Sequence, residues 1–256
     1  MNEKDLNQYL SVILELLKTM TQAGADIHRV EESAQRIFAA YGFADVDIYA
    51  TTSNLILSLE TGDHIISTHT RRIGSISADI ERVHRLNALT RRITQVCPSP
   101  QEIRNALDEI KALPTYPSWI IILSYGFIAG AFYLFFGGRN LVEALFSTAI
   151  GFLTGLLSKY FTGAGINKFF LKFCCSFLAC FLSMSLLRLS LVEHIDYMII
   201  GNIMTLIPGV GLMNSLRDLF LEDSISGVQR LIEAALLALS IAGGYIASSF
   251  LFGGVF

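Results

Sequence analysis

Hydrophobic residues follow two different patterns along the 256-residue chain. Up to about residue 117 they recur at helical or alternating spacing among charged residues, whereas from Ser118 onward they run together almost without interruption. Spaced apolar residues are typical of helices and strands with one buried face. An unbroken apolar run of about 20 residues is long enough to cross a hydrocarbon core of about 30 Å. The pattern therefore predicts a soluble part followed by a membrane part.

The soluble part begins with two amphipathic helices. Helical spacing predicts the first in DLNQYLSVILELLKTMTQAGA and the second in DIHRVEESAQRIFAAYG, which Gly42 ends. Alternating and β-branched residues then predict an antiparallel meander of three strands in ADVDIYATT, NLILSLETGD and HIISTHTRRI, with a Thr-Gly-Asp turn. We expect an α+β cytoplasmic domain over residues 1–97.

Two more helices complete this part of the chain. SADIERVHRLNALTRRITQV returns to helical spacing, and we expect it to start from a serine cap. The segment SPQEIRNALDEIKAL predicts a short helix with Pro100 near its start, since proline is tolerated in the first turn. We interpret residues 98–117 as a proline-containing linker that carries this short helix.

Five apolar segments of the remaining chain are long enough to be transmembrane helices. They are residues 118–136, 141–157, 169–191, 197–216 and 228–252. The predicted fold is an α-helical membrane protein with five transmembrane helices, over residues 118–256, preceded by the α+β domain. The fourth helix is expected to be broken at Pro208, about 16 Å deep at 1.5 Å per residue.

Charge predicts the orientation of these helices. A cytoplasmic N-terminus puts more lysine and arginine on the cytoplasmic flanks than outside: Lys159, Lys168, Lys172, Arg217 and Arg230 against Arg139 and Arg188. This bias favours a multi-pass protein of the cytoplasmic (inner) membrane, in contact with lipid, with its C-terminus outside. Glu143, at the start of the second helix, is expected to lie in water. We favour a polar loop at the outer interface for His194 and Asp196, and a pH-sensing role is the alternative.

Composition agrees with a membrane protein and narrows the function. The chain is 52% hydrophobic and 16% charged, with a mean hydropathy of +0.52 and a net charge of −3. The sequence has no basic patch of the kind that binds nucleic acid, so we predict no nucleic-acid partner. The four cysteines lack metal-ligand spacing and are expected to be reduced thiols, so we predict neither a metal nor a cofactor.

Small residues recur every four positions in the predicted transmembrane helices. They form three stripes: Gly126 and Gly130; Ser147, Gly151 and Gly155; and Ala234, Ala238 and Ala242. Such stripes let helix backbones approach closely. We favour packing within one bundle over dimerisation.

The break in the fourth helix has two interpretations. Non-helical backbone at this depth must be buried in protein or line a watery cavity, and in transporters broken helices place their half-helix ends around a substrate. A half-helix starting near Leu212 would then offer N–H groups to an anion, while the preceding one offers carbonyls to a cation. The other interpretation is a proline kink, with Asn202 and Asn214 bonded to their neighbours.

The segment NIMTLIPGVGLMNSLRDLFLEDSISGVQRLIEAAL resembles the signature of the threonine/serine exporter family. AGADIHRVEESAQRIFAAYG and THTRRIGSISADIERVHRLNAL are similar to that family's cytoplasmic domain. The resemblance implies a transporter, not an enzyme, that exports small amino acids or, in two-subunit relatives, succinate, driven by an ion gradient. Full-length members carry a second five-helix module. This chain therefore resembles the larger subunit of a split exporter, which implies a second small five-helix membrane subunit as partner.

The resemblance also implies the residues of the transport path. Asn202, Thr205, Pro208, Gly209, Gly211 and Asn214 would form and line the break, and Arg217, Asp218, Asp223, Ser226, Gly227 and Arg230 would form its cytoplasmic mouth. Arginine suits a substrate carboxylate and aspartate suits a proton. One alternative is an interfacial salt-bridge cluster, with Arg230 paired to Glu233 three residues on. Another is a membrane-anchored sensor or hydrolase-like enzyme whose activity resides in the cytoplasmic domain, although we find no nucleophile and base pair.

Overall fold

The computed structural model describes residues 3–43, 46–60, 66–74, 76–114 and 116–253. Its helices and strands before residue 115 are α1 (Glu3–Gln22), α2 (Ile27–Ala40), β1 (Val46–Ala50), β2 (Asn54–Glu60), β3 (Ile66–Arg72), α3 (Ile80–Val96) and α4 (Pro100–Lys111). The strands pair antiparallel in the order β1-β2-β3, which confirms the meander. The predicted Thr-Gly-Asp turn lies outside the described residues.

Local capping explains where α3 and α4 begin. The predicted serine cap of α3 is wrong, because the Asp79 carboxylate accepts the Arg82 N–H and so begins the helix. In α4, Pro100 is the first helical residue, as expected. Ser99 and Glu102 exchange hydrogen bonds with each other's backbone N–H groups in a capping box.

The chain divides into two compact units. The first contains Met1–Pro114 together with Met213–Leu231, and the second contains Thr115–Leu212 together with Ile232–Phe256. In the first unit the apolar face of α1, including the fully buried Leu10 and Leu17, packs with α2, the sheet and α3 into one core. The sequence did not indicate that residues 213–231 belong with the N-terminal part.

The apolar part of the chain is helical throughout most of its length. It contains α5 (Ser118–Phe135), α6 (Leu141–Gly163), α7 (Lys168–Arg188), α8 (Ile195–Met204), α9 (Gly209–Phe220) and α10 (Ser224–Leu251). Four of them, α5, α6, α7 and α10, are long and apolar enough to cross a membrane. Helices α8 and α9 meet that criterion only as a pair, bent by 58° at the break, so the described residues supply four spans, or up to five if the pair is one span.

Small residues bring α5 and α6 together. A Cβ atom added to Gly151 would stand 2.7 Å from the Tyr125 carbonyl oxygen, and one added to Gly155 would stand 2.9 Å from the Tyr125 Cβ. Only glycine fits such an approach, so this stripe packs within the bundle, as favoured above.

The alanine stripe of α10 does not pack in the same way. Ala234 is buried, but Ala238 and Ala242 are exposed. The close approach in α10 is made by Gly244, where an added Cβ would stand 2.8 Å from the Phe177 backbone nitrogen on α7. Expecting one continuous stripe was therefore wrong, because the packed face of α10 changes along the helix.

The second unit contains a buried acidic residue. Glu143, in the first turn of α6, is fully buried, so the expectation that it lies in water is wrong. Its carboxylate is enclosed by Tyr133 of α5 and by the loop before α8. Burial is possible because those neighbours supply hydrogen-bond donors.

Candidate functional site

The break between α8 and α9 is short. The Thr205 hydroxyl donates to the Asn202 carbonyl at 2.8 Å, at the end of α8, and α9 begins at Gly209. The Leu212 N–H already donates to the Pro208 carbonyl at 3.0 Å. The half-helix was expected near Leu212 and starts three residues earlier, because proline needs no N–H partner directly before a first turn.

Asn202 holds α8 against α6. Its side chain is 1% exposed, and its Nδ2 donates to the Ser147 Oγ and to the Met198 carbonyl, each at 3.0 Å. The expected bonding of Asn202 to neighbours is thus observed. Its Oδ1, however, is buried without a hydrogen-bond partner in the described part of the chain, so one acceptor of this amide remains available.

The glycines after Pro208 differ from those of α6. A Cβ atom added to Gly209 or Gly211 would meet no atom within 4 Å, so the described residues contain no packing reason for glycine there. Glycine inside a helix costs about 1 kcal/mol relative to alanine. The two glycines thus leave the backbone of this turn exposed and lower the stability of the helix. Asn214, one turn further along α9, is partly buried.

A cluster of charged side chains lies within the first unit, where the end of α9 and the start of α10 meet the N-terminal end of α2. Asp26 is the N-cap of α2 and accepts the His28 N–H at 3.2 Å. The Arg217 Nη2 lies 2.8 Å from the Asp26 Oδ2. The cluster therefore contains an ion pair, Asp26 with Arg217, between segments far apart in the sequence.

Arg230 and Asp218 form a second, more deeply buried pair. Their Nε and Oδ2 atoms are 3.0 Å apart, with the side chains 11% and 2% exposed. The predicted Arg230–Glu233 pair is wrong, since Glu233 pairs with Lys168 instead. Arg230 turns toward α9 because Asp218 lies across the α9–α10 turn, where both charges can be buried together.

The turn between α9 and α10 makes this pair possible. Asp223 donates its N–H to the Asp218 carbonyl and accepts the Gly227 N–H, each at 2.9 Å. A Cβ added to Gly227 would stand 2.7 Å from the Leu219 Cγ, so glycine permits the first turn of α10 to lie against α9. Ser226 beside it is 2% exposed.

Two further carboxyl groups have shifted acidities in this cluster. Burial raises the pKa of Asp223, with the negative charge of Asp26 adding to the effect and His28 opposing it. Burial also raises the pKa of Glu31, against the hydrogen bond that its Oε1 accepts from the Ala50 N–H at 2.8 Å. The charge of Asp223 raises it further. Both groups therefore take up protons more readily than an isolated carboxyl.

Most of the unpartnered buried atoms belong to residues described in the paragraphs above. Seven buried side-chain nitrogen or oxygen atoms lack a hydrogen-bond partner within the described ranges. Six of them belong to these residues: Asp26, Asn202, Asp218, Asp223 and, with two atoms, Arg230. The Arg217–Asp26 and Arg230–Asp218 pairs are thus close in distance but not aligned as hydrogen bonds. Buried polar atoms are normally satisfied, so such a group indicates bound water or a polar ligand.

Sequence reasoning missed the contributions of the N-terminal domain. Asp26 pairs with Arg217, and the Thr52 hydroxyl donates to the Gln229 Oε1 at 2.6 Å. Asp26 carried a signal, an aspartate directly before a helix, but only for capping. Among the described residues, no group of three His, Cys, Asp or Glu side chains could hold a metal ion.

Several apolar helices of membrane-spanning length, with a break and a buried charged cluster, define a multi-pass membrane protein. The sequence profile of the ThrE family of threonine/serine exporters matches residues 11–252, and the chain belongs to this family. The members of this family are named as exporters.

Two curated relatives narrow the comparison. The chain is 24% identical, over 93% of its length, to a "Probable threonine/serine exporter" of Mycobacterium tuberculosis, of which it spans 45%. It is 26% identical, over 91% of its length, to the "Probable succinate transporter subunit YjjP" of Klebsiella aerogenes, of which it spans 90%. No solved structure matches the chain.

Proposed function

We propose that this chain is one subunit of a secondary transporter that exports a small amino acid of the threonine/serine type, or a small dicarboxylate, across the cytoplasmic membrane. An ion gradient drives the export. The family and the two named relatives support an exporter of such substrates. We further propose that the chain works with a second small five-helix membrane subunit, in keeping with the word "subunit" in the name of the relative that it spans almost completely.

The proposed path residues are those that the sequence predicts, at the helix break in the second unit and in the charged cluster of the first. The observation that carries this path is the concentration of unpartnered buried atoms on Asp26, Asn202, Asp218, Asp223 and Arg230. Guanidinium groups bind carboxylates through paired N–H donors, and carboxylates accept ammonium groups or protons. Arg217 and Arg230 are the proposed carboxylate partners, while Asp218 and Asp223 receive an ammonium group or a proton.

The helix break serves this path through its open backbone. Gly209 and Gly211 leave room for a ligand to approach the start of α9, and the free Oδ1 of Asn202 adds an acceptor. Thr205 and Asn214 belong to the same path, while Ser226 and Gly227 position the α9–α10 turn. Pro208 keeps α8 and α9 from joining into one straight helix.

Efflux from preloaded cells tests the proposed activity. Cells that lack their own exporters are loaded with labelled threonine, serine or succinate, and efflux is followed with the chain alone and with a five-helix protein encoded beside it. We expect export only with both proteins, because one broken helix supplies half of a site built between two repeats. Full export by the lone chain contradicts the partner, and no export of any substrate by the pair contradicts the function.

The proposed orientation has the N-terminal domain in the cytoplasm and the C-terminus outside. Reporter fusions after residue 117 and at residue 256 test it. We expect the first to be active only inside the cytoplasm and the second only outside, in line with the distribution of basic residues. Reporters active in the same compartment would require an even number of crossings.

A further inference from the structure

The second unit holds a buried ionisable group that the proposed path does not use. Glu143 in α6 is fully buried, and the Tyr133 hydroxyl of α5 donates to its Oε2 at 2.6 Å. The Glu193 N–H donates to its Oε1 at 2.8 Å, and the His194 Nδ1 lies 3.3 Å from its Oε2. A buried carboxylate within a transmembrane helix is costly and marks a functional group more often than a structural one.

One side chain next to this carboxylate, His194, is exposed. The His194 side chain is 53% exposed, and its ring stacks on Tyr197 of α8 with centroids 6.0 Å apart. Histidine changes charge near neutral pH, so its outer face can exchange protons with water while Nδ1 faces Glu143. Among the described residues, the titratable side chains that contact this carboxylate are Tyr133 and His194, with Tyr197 behind them.

The groups that contact Glu143 belong to two different parts of the second unit, a helix and a loop. Tyr133 belongs to the tightly packed α5–α6 pair, whereas Glu193 and His194 lie in the loop before α8. While the loop is docked, Glu143 can be ionised beside a protonated His194. When the loop moves away, the carboxylate loses the Glu193 N–H and the protonated His194, and an unpaired charge in an apolar bundle is replaced by the neutral acid.

This exchange is linked to the broken helix by direct contacts. Ser147 lies one turn after Glu143 on α6, and the Asn202 Nδ2 of α8 donates to the Ser147 Oγ at 3.0 Å. Tyr133 also packs against α8, since a Cβ added to Gly201 would stand 2.9 Å from the Tyr133 backbone nitrogen. A change of the loop and of the start of α8 therefore reaches Asn202 without an intervening flexible segment.

We propose that Glu143 is the proton-coupling carboxylate of the transporter, loaded through His194. The inference rests on the proposed export function. The proton on His194 Nδ1 moves to Glu143 Oε2 as the loop undocks. This transfer converts imidazolium and carboxylate into neutral imidazole and carboxylic acid. His194 then regains a proton from water on the exposed side. Glu143 then releases its proton toward the opposite side of the membrane, and the loop docks again beside the protonated His194, so docking of the loop and the charge of Glu143 change together.

Infrared titration of the purified protein tests the carboxylate without any substrate. We expect acidification to produce the C=O band of a carboxylic acid in apolar surroundings, which Glu143→Gln removes. His194→Gln should keep the band and shift its appearance to higher pH, since the charged form has lost its cation. Asp196→Asn, which removes an exposed carboxylate near the same loop, is the matched control and should leave the band unchanged. A band of wild-type intensity in Glu143→Gln overturns the proposal.

Transport provides the second readout. In membrane vesicles with the partner present, Glu143→Gln should lose the stimulation of efflux by a pH gradient and keep substrate exchange without a gradient. Wild-type stimulation in Glu143→Gln overturns the coupling role. If wild type moves no substrate at all, the export function fails, while the infrared result still decides whether Glu143 titrates through His194. His194→Gln serves if Glu143→Gln does not fold, and an unshifted band there also overturns the proposal.

Discussion

Glu143 and Asp218 are both buried carboxylates, but they differ in how their oxygens are satisfied. Both oxygens of Glu143 accept a hydrogen bond, from Tyr133 and from the Glu193 backbone. The Oδ2 of Asp218 lies 3.0 Å from Arg230 without an aligned hydrogen bond. A satisfied group holds its surroundings in one arrangement, whereas an unsatisfied one retains capacity for another partner. The two clusters are therefore suited to different tasks, proton exchange and ligand contact.

The largest expected effect separates the helix break from both clusters. Pro208→Ala supplies the missing N–H and lets α8 and α9 approach one continuous helix. We expect efflux to be lost while the amount of protein in the membrane stays at the wild-type level. Efflux of threonine, serine and succinate at matched abundance measures this, with an alanine at the exposed Val210 as control. Normal efflux of all three by Pro208→Ala would reduce the break to a structural kink.

We call the charged cluster around Asp218 and Arg230 the unsatisfied cluster, because buried atoms of both residues lack hydrogen-bond partners among the described residues. The next prediction removes one of its charges. Arg230→Met leaves Asp218 buried without its cation, and removal of one partner of a buried pair costs about 3–5 kcal/mol. The melting temperature of the purified protein should fall strongly. Adding Asp218→Leu in the same chain should restore most of the loss, because no unpaired charge remains. A double variant as unstable as Arg230→Met would mean that the pair acts through packing and not through charge.

A smaller effect on stability is expected when Glu143 is replaced, since both of its carboxylate oxygens accept hydrogen bonds in what we call the satisfied cluster. Glu143→Gln keeps an acceptor for the Glu193 N–H but presents an amide to one of the remaining donors, and an unsatisfied buried group costs about 1–3 kcal/mol. Thermal unfolding should therefore shift less than in Arg230→Met, with Asp196→Asn as the exposed control. A larger shift than that of Arg230→Met would reverse the order of the two clusters.

Arg217 tests ligand contact at the edge of the unsatisfied cluster. Arg217→Lys keeps the charge but loses the planar pair of donors, and its side chain is 55% exposed. We expect the apparent affinity for substrate to fall about fivefold, equivalent to about 1 kcal/mol, with maximal efflux preserved. Asp26→Asn should weaken affinity by a similar factor only if the pair acts together. Unchanged affinity in Arg217→Lys would leave it with a purely topological role.

The smallest effect is a pH dependence at Asp223. Its pKa is raised in the folded state, so the native protein binds more protons than the unfolded chain between the ordinary value of 3.8 and the raised one. Stability therefore falls as pH rises through that window. Asp223→Asn should flatten this part of the stability curve and stabilise the protein above the window. Melting temperatures measured from pH 4 to pH 7 check the sign, and a steeper curve in the variant contradicts it.

The regular elements follow from the sequence because local patterns determine them. The spacing of Leu10, Ile13 and Leu17 predicts α1, and the alternation in β1–β3 predicts the meander. The start of α4 is equally local, since Ser99 and Glu102 cap each other within one turn. Errors arose where a distant group decided the outcome.

Long-range partners explain the missed features of the site. Arg230 was predicted to pair with Glu233 on its own helix, but Asp218 on α9 offers a buried partner. Asp26 and Arg217 are 191 residues apart, and no pattern in either segment encodes their contact. Glu143 was misjudged because a carboxylate at the start of a helix is usually hydrated, and the donors that bury it come from other elements.

The contact of Thr52 with Gln229 also has a consequence for biosynthesis. These residues are 177 positions apart, and Asp26 and Arg217 of the charged cluster are separated by a similar interval of 191. At about 5–20 residues per second, Gln229 leaves the ribosome roughly 10–35 seconds after Thr52. During that time the N-terminal segment can form α1, α2 and the sheet, while Asp26 and Thr52 still await their partners. The first unit is thus completed by a segment that is translated later, so its charged cluster can form only after α9 and the start of α10 have been made.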